Sequence, residues 1–272
     1  MHKLAVLLTC YNRREKTLNC IKSIYNSENI DTSKINIYLV DDGSTDGTSD
    51  SVHKLFPDVH IIQGNGSLFW NKGMHLAFRT AAENDYDYYL WVNDDTQIYK
   101  NTIKILTDTY QHCKSGNSII IGSTCDPINI KTITYGGVKR RGFQPFYYDL
   151  IYPKNETQIA DTFNGNIVLV PRSVFKVVGN LDPYFMHAMG DFDYGLRAKK
   201  AGCSLIVAPG FLGQCSRNSQ HGKLPYLQRV KKLFSAKGIP FKDWVLLSYR
   251  HGGIMWPMWA ISPYIRIFIN KK

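Results

Sequence analysis

The stretch Trp91-Val92-Asn93-Asp94-Asp95-Thr96 puts two acids directly after a hydrophobic run of Tyr, Leu, Trp and Val. Adjacent carboxylates at a strand end offer hard oxygen donors. These suit Mn2+ or Mg2+, which can bridge the chain to the two phosphates of a nucleotide diphosphate. The plain alternative is a helix N-cap. A second acid pair lies in Val40-Asp41-Asp42-Gly43-Ser44-Thr45-Asp46-Gly47, again behind an apolar run. There Asp42 can accept from a pyrimidine ring N–H, or the segment is simply a turn in which Ser44 or Thr45 caps the next helix. Thr9-Cys10-Tyr11-Asn12-Arg13 closes the first apolar run, where an aromatic can lie on a base.

Two further segments carry chemistry. In Gly64-Asn65-Gly66-Ser67-Leu68-Phe69-Trp70-Asn71-Lys72-Gly73 the glycines and asparagines allow close backbone approach, and a helix start beside a polar loop is an anion site fit for a diphosphate. Trp70 reads equally as a sugar platform or as core. In Gly190-Asp191-Phe192-Asp193-Tyr194-Gly195-Leu196-Arg197, Asp191 falls at a helix start, where amide dipoles favour the ionised base that could take a proton from a hydroxyl. Asp193 and Arg197 are spaced for an i,i+4 ion pair.

The elements that must position these residues alternate. KLAVLLT, INIYLVDD, VHIIQG and YDYYLWVNDD read as strands, and REKTLNCIKSIYNS, TDGTSDSVHKLF and NKGMHLAFRTAAEN as the helices between them. That βα alternation implies a parallel sheet with right-handed crossovers and ligands beyond the carboxyl ends of its strands. A helix near 100–112 and a strand SIIIGS follow. ITYGGVKRRGFQPFYYDLIYP has no clear period and is expected to form hairpins or a mobile loop. NIVLVP, RSVFKVVG, DFDYGLRAKKAG and SLIVAP read as strand, helix, helix and strand. We expect one catalytic domain over 1–215, with a nucleotide-binding half (1–96) and an acceptor half (97–215), and a basic aromatic extension over 216–272.

Charge sharpens the last boundary. Of the net charge of +11, residues 217–272 contribute +10, with eleven Lys or Arg against Asp243 alone. These charges flank a segment containing Trp244, Trp256 and Trp259, which suits an anionic membrane surface better than nucleic acid. Arg250, Gly252-Gly253, Pro257 and Pro263 interrupt it, so no spanning helix is expected. The six cysteines form no C-x-x-C pair, and the first apolar run lacks a cleavage site and reads as a buried strand. A cytoplasmic protein, peripheral on the inner face of the membrane, is the expectation. No G-x-G-x-x-G follows the first strand, which excludes a Rossmann dehydrogenase.

As an ordered set over roughly residues 3–210, these motifs resemble the family 2 glycosyltransferases, including rhamnosyltransferase-like enzymes of bacterial polysaccharide synthesis. The resemblance implies a GT-A fold, a Rossmann-like α/β architecture with a mixed, mainly parallel sheet flanked by helices, here with a basic helical tail. It implies transfer from a nucleotide-sugar donor, UDP- or dTDP-linked, to a glycan or lipid-linked acceptor with inversion at the anomeric carbon. Asn93-Asp94-Asp95 stands at the family's D-x-D, with Asn93 in place of its first acid. Asp95 then aligns with the metal ligand, and Asn93 and Asp94 with sugar or ribose contacts. Thr9, Tyr11, Asn12, Arg13, Asp42, Asn65, Trp70, Asn71 and Gly73 align with the donor pocket. Residues 190–202 match E-D-x-D-x-x-x-R-x-x-x-x-G with Gly190 in place of Glu, which gives Asp191 the role of catalytic base. A metal-binding His often follows that helix. Its position falls near Cys215, and the nearest candidate is His221. A sugar-phosphate nucleotidyltransferase and a non-catalytic sugar-nucleotide binder are the rival readings.

Overall fold

In the computed structural model, which describes residues 3–29, 31–113, 115–187, 189–217, 225–235 and 238–269, the first half alternates as its periodicity demands. β1 (Leu4–Cys10), α1 (Arg14–Tyr25), β2 (Ile35–Asp41), α2 (Thr48–Leu55), β3 (His60–Gln63), α3 (Phe69–Ala82) and β4 (Tyr88–Val92) follow in order. β1 lies between β2 and β4, parallel to both, and β3 adds in parallel to β2. Every residue of β1 and β4 is buried, as expected for central strands covered on both faces. Alternation along β1 splits the core. Ala5 and Leu7 pack with Met74, Phe78 and Trp91, and Val6 and Leu8 pack with Ile21, Ile37 and Leu90. Helix α1 serves the second layer by burying Thr17, Cys20, Ile21 and Ile24, one stripe of the helix.

The second half comprises β5 (Gln97–Ile98), α4 (Thr102–Gln111), β6 (Ser118–Cys125), β7 (Ile133–Tyr135), β8 (Gly137–Arg140), β9 (Tyr148–Leu150), β10 (Gln158–Ile159), β11 (Thr162–Phe163), β12 (Ile167–Pro171), α5 (Arg172–Val178), α6 (Gly190–Lys200) and β13 (Ser204–Gln214). The main sheet runs β10-β13-β6-β12-β4-β1-β2-β3. β12 is antiparallel to both β4 and β6, with Ile167 opposite Val92. The segment without clear period forms short strands: β7 pairs with β6, while β11, β8 and β9 make a small antiparallel sheet. β13 continues well past SLIVAP. Register shifts between Val207 and Gly213, with Gly210 at φ +69, bend it so that its end reaches β5.

The tail is helical: α7 (Tyr226–Phe234), α8 (Phe241–His251) and α9 (Trp256–Ile269). Trp244 Nε1 donates to Trp259 O at 2.8 Å and Tyr264 Oη to Ile239 O at 2.8 Å, which ties α8 and α9 together. No helix among the described residues is long and apolar enough to cross a membrane. Not all of the tail's charge faces outward. Arg250, His251 and Asp243 of α8 turn toward the catalytic half, where Asp243 Oδ2 accepts from Met186 N at 3.0 Å.

Candidate active site

At the end of β4 the acids cap no helix, since β5 follows and α4 starts only at Thr102. Arg13 Nη1 donates to Asp94 Oδ1 at 2.9 Å and to Asp95 Oδ2 at 3.0 Å, so one guanidinium nitrogen stands where a cation would. Burial lifts the Asp94 pKa to about 7; Arg13 opposes the rise and the charge of Asp95 adds to it. Asp94 Oδ2 is buried with no partner among the described residues. An orphaned carboxylate oxygen beside a second, partly exposed carboxylate fits a hard divalent cation whose remaining ligands come from phosphate. By themselves the described His, Cys, Asp and Glu side chains form no cluster of three able to hold an ion. Cys215 stands near the position expected of a histidine ligand. Its thiol lies 3.4 Å from Asp95 Oδ1, and burial and that charge push its pKa up to about 12. His221 lies outside the described residues.

The donor-pocket motifs are stitched to one another. Asn12, at φ +50, donates its backbone N–H to Ser44 Oγ (2.9 Å) and accepts at Oδ1 from Thr45 N (2.7 Å). Asp46, rather than Ser44 or Thr45, accepts from Thr48 N at the start of α2. Asp42 is buried and organises the next loop: Oδ1 accepts from Gly66 N, and Oδ2 from Leu68 N and Phe69 N, all at 2.9–3.0 Å. Oδ1 keeps one lone pair. Asn65 Oδ1 closes the same loop on Ser67, and Tyr11 is exposed.

Two of these residues are committed to packing. Asn71 is fully buried and its amide donates to Asp182 O (2.7 Å) and Phe185 O (2.8 Å). Gly73 lies so close to β1 that a Cβ there would sit 2.2 Å from Thr9 Oγ1; its lack of a side chain lets α3 approach the sheet. Asn71, Gly73 and the buried Thr9 thus hold the pocket wall together from behind.

Asp191 opens α6 as expected, and its Oδ1 accepts from Phe192 N (2.8 Å) and its Oδ2 from Gly165 N (3.0 Å). Helix amides alone would keep it strongly acidic. Burial outweighs them and raises its pKa to about 6. Asp193 behaves oppositely. Burial would raise it, yet hydrogen bonds from His251 and Arg197 and the charges of Arg197 and Arg250 hold it below the usual carboxylate value.

One cavity of about 330 Å³ joins the two sets: Arg13, Asn93, Asp94 and Asp95 on one wall, Asp191 and Gly165 on another, with Trp70 between them. Trp70 Nε1 donates to Asn93 Oδ1 at 2.7 Å, and its ring lies across Gly165, where a Cβ would be 2.6 Å from it. It is therefore a fixed wall of the cavity. The sequence motifs outside this lining are Thr9, Tyr11, Asn12, Asp42, Asn65, Asn71 and Gly73. Sequence reasoning assigned no role to Asn164, Gly165 and Asn166, although the polar triplet ahead of NIVLVP was visible. Tyr135 and His187, also in the lining, left no signal.

The sheet order and the acid-lined cavity at its strand ends define an α/β protein of the GT-A kind. Solved structures share that fold: Staphylococcus aureus TarS (TM-score 0.59, 15% identity, over 91% of this chain and 42% of that one), and the Pyrobaculum calidifontis mannosyltransferase PcManGT in complex with GDP-Man and Mn2+ (TM-score 0.59, 13% identity, 99% and 71%). The sequence model of glycosyl transferase family 2 matches residues 5–179, and the chain belongs to that family. An N-acetylglucosaminyl-diphospho-decaprenol L-rhamnosyltransferase of Mycobacterium tuberculosis is 22% identical over 197 residues. The match covers 64% of this chain and spans 64% of that relative's length.

The acid pair predicts its own dependence on cations. Replacing Arg13 by Gln leaves Asp94 and Asp95 without a counter-charge and should destabilise the metal-free protein by about 1–2 kcal/mol. That is less than the roughly 3–5 kcal/mol of a fully buried pair, because Arg13 is one-third exposed. Mn2+ should recover the loss. Thermal unfolding with and without Mn2+ checks this, and an unchanged Tm in the metal-free variant would contradict it.

Proposed function

We propose that the protein is an inverting, metal-assisted glycosyltransferase that moves a sugar from a UDP- or dTDP-linked donor to a hydroxyl of a glycan or lipid-linked acceptor in cell-surface polysaccharide synthesis. The observation that carries this reading is the single cavity with Asp94 and Asp95 on one side and Asp191 on the other. Family membership supports it, and the name of the mycobacterial relative favours a deoxyhexose donor and a prenyl-diphosphate-linked acceptor.

The chain's own residues divide the work. In this reading Tyr11 stacks on the donor base and Asp42 Oδ1, with its free lone pair, accepts from the base's ring N–H. Asn12, Arg13 and the loop around Asn65 would meet the ribose and diphosphate, and Asn93 and Asp94 the ribose or sugar. Asp95, with Asp94 beside it, would hold Mn2+ or Mg2+, which when bound neutralises charge on the departing diphosphate. Trp70 walls the sugar. Each Asp191 oxygen gives one lone pair to a backbone amide and keeps another for the acceptor hydroxyl. Asp191 takes the hydroxyl proton as the oxygen bonds to C1, and the C1–oxygen bond to the diphosphate breaks on the opposite face. Residues 1–215 form the catalytic unit in this reading.

A nucleotidyltransferase would release pyrophosphate instead of a nucleoside diphosphate, and a non-catalytic binder would release neither, so a product assay separates the three. The base role predicts more. Asp191→Asn should lower kcat by at least about 10²-fold with donor Kd nearly unchanged. Because only the ionised carboxylate accepts a proton, turnover of the parent should fall as pH drops through about 6. Near-normal turnover of Asp191→Asn would place the base elsewhere.

The tail supports a cytoplasmic protein held peripherally on an anionic membrane. Helix α9 leaves Met258, Ile261 and Ile265 exposed on one face beside Arg266, and Ile254 and Met255 precede them. Ile261→Glu with Ile265→Glu should release the protein from vesicles containing anionic lipid; unchanged binding of the double variant would exclude this face.

A further inference from the structure

Asp193 is fully buried two residues beyond Asp191 in the first turn of α6, and most of what compensates its charge comes from far away in the chain. Arg197 Nε donates to Oδ2 at 2.7 Å within the helix. Oδ1 is held by the tail: Arg250 Nη1 donates at 3.2 Å and His251 Nε2 at 3.0 Å. The clasp continues outward. Arg250 Nη2 donates to Asp182 Oδ2 at 2.6 Å, its guanidinium lies over the Phe185 ring, and Arg197 ties down Val178 O and Asn180 O.

We infer that α8 is a working part of the active site: Arg250 and His251 are positioning residues that, by holding Asp193, set the first turn of α6 and with it the Asp191 carboxylate. The reading of Asp191 as base is presupposed for the catalytic consequence, not for the positional one. α6 needs an outside hold. It is entered through Met189 at φ +75, a left-handed conformation that costs a non-glycine residue energy and persists only when its surroundings enforce it. Two of the holds come from the catalytic half: Gly190 packs against Asn71, where a Cβ would fall 1.7 Å from Oδ1, and Gly165 N meets Asp191. The third is the clasp. The same Asp182 and Phe185 whose carbonyls hold Asn71, next to Trp70, are the residues Arg250 grips, so α8 braces both flanks of the cavity at once. A tail that served only as a tether would have no reason to direct Arg250 at Asp193, a buried carboxylate of α6, and at Asp182 beside it.

The test reads Asp191 directly, by 13C NMR titration of side-chain carboxyls in the full chain, with its signal assigned by loss in Asp191→Asn. In the parent it should titrate near 6. Arg250→Ala and His251→Ala should each move the Asp191 midpoint by more than about half a pH unit. Turnover of dTDP-rhamnose with a prenyl-diphosphate-linked N-acetylglucosamine should drop about 10-fold in Arg250→Ala at unchanged donor Kd, and adding Arg250→Ala to Asp191→Asn should cost nothing beyond the loss of Asp191→Asn alone. Should Arg250→Ala not fold, His251→Ala, which keeps the arginine fork, carries the same criteria. An Asp191 midpoint identical to that of the parent in a folded variant overturns the inference. Normal turnover of Asp191→Asn would instead remove the base reading, with the NMR midpoints still deciding whether the clasp positions the carboxylate.

Discussion

The site depends on the antiparallel pairing of β12 with β4. In a purely parallel sheet the start of β12 would lie at the opposite edge from the end of β4, and the acids at 94 and 95 would never meet the loop at 164–166. Because Ile167 lies opposite Val92, and Asn93 N donates to Asn166 O at 3.2 Å, the polar end of β4 and the approach to β12 share one edge. Gly165 then offers its amide to Asp191, and α6 is drawn to the same cavity. Donor-side and acceptor-side chemistry are brought together by the direction of one strand.

Electrostatics inside that cavity are arranged by burial as much as by charge pairing. Asp94 and Asp191 are both pushed up from the ordinary carboxylate value, although one faces a guanidinium and the other backbone amides. Desolvation disfavours the ionised form wherever neighbours do not fully replace water. Asp193 goes the other way because three cationic or donor side chains converge on it. Acids two residues apart on one helix thus acquire different tasks: one keeps lone pairs directed at the cavity, the other is saturated and structural.

Much of this was legible in the sequence, and the reason differs by region. The first half is legible because β1, β2 and β4 are almost wholly buried and the helices between them carry a clear apolar stripe, so periodicity reports directly on burial; β3, at the sheet edge, is only partly covered. Asp94 and Asp95 follow the end of β4 and Asp191 lies in the first turn of α6, the element positions that the spacing predicts. The strands β5, β10 and β11 span two residues each and have no period to detect. The direction of β12 leaves no trace in NIVLVP. Within the chain the partners of Asp42, Asn71 and Gly73 are backbone amides, carbonyls and Thr9, because loop closure and close packing use the same residue types as ligand contact, and a motif alone does not separate the two. The clasp on Asp193 joins residues 57 and 58 positions apart, a separation that no local pattern encodes.

The central claim is that a single carboxylate, Asp191, works across the cavity from a donor bound at Asp94 and Asp95, the two other carboxylates of the lining, which this reading commits to the cation. Product stereochemistry tests that claim most directly. With a donor of defined anomeric configuration, the proton coupling at the new linkage, measured by NMR on the isolated product, should show the inverted configuration. Retention would mean front-face attack or a double displacement rather than the single displacement assigned to Asp191, and would contradict the account.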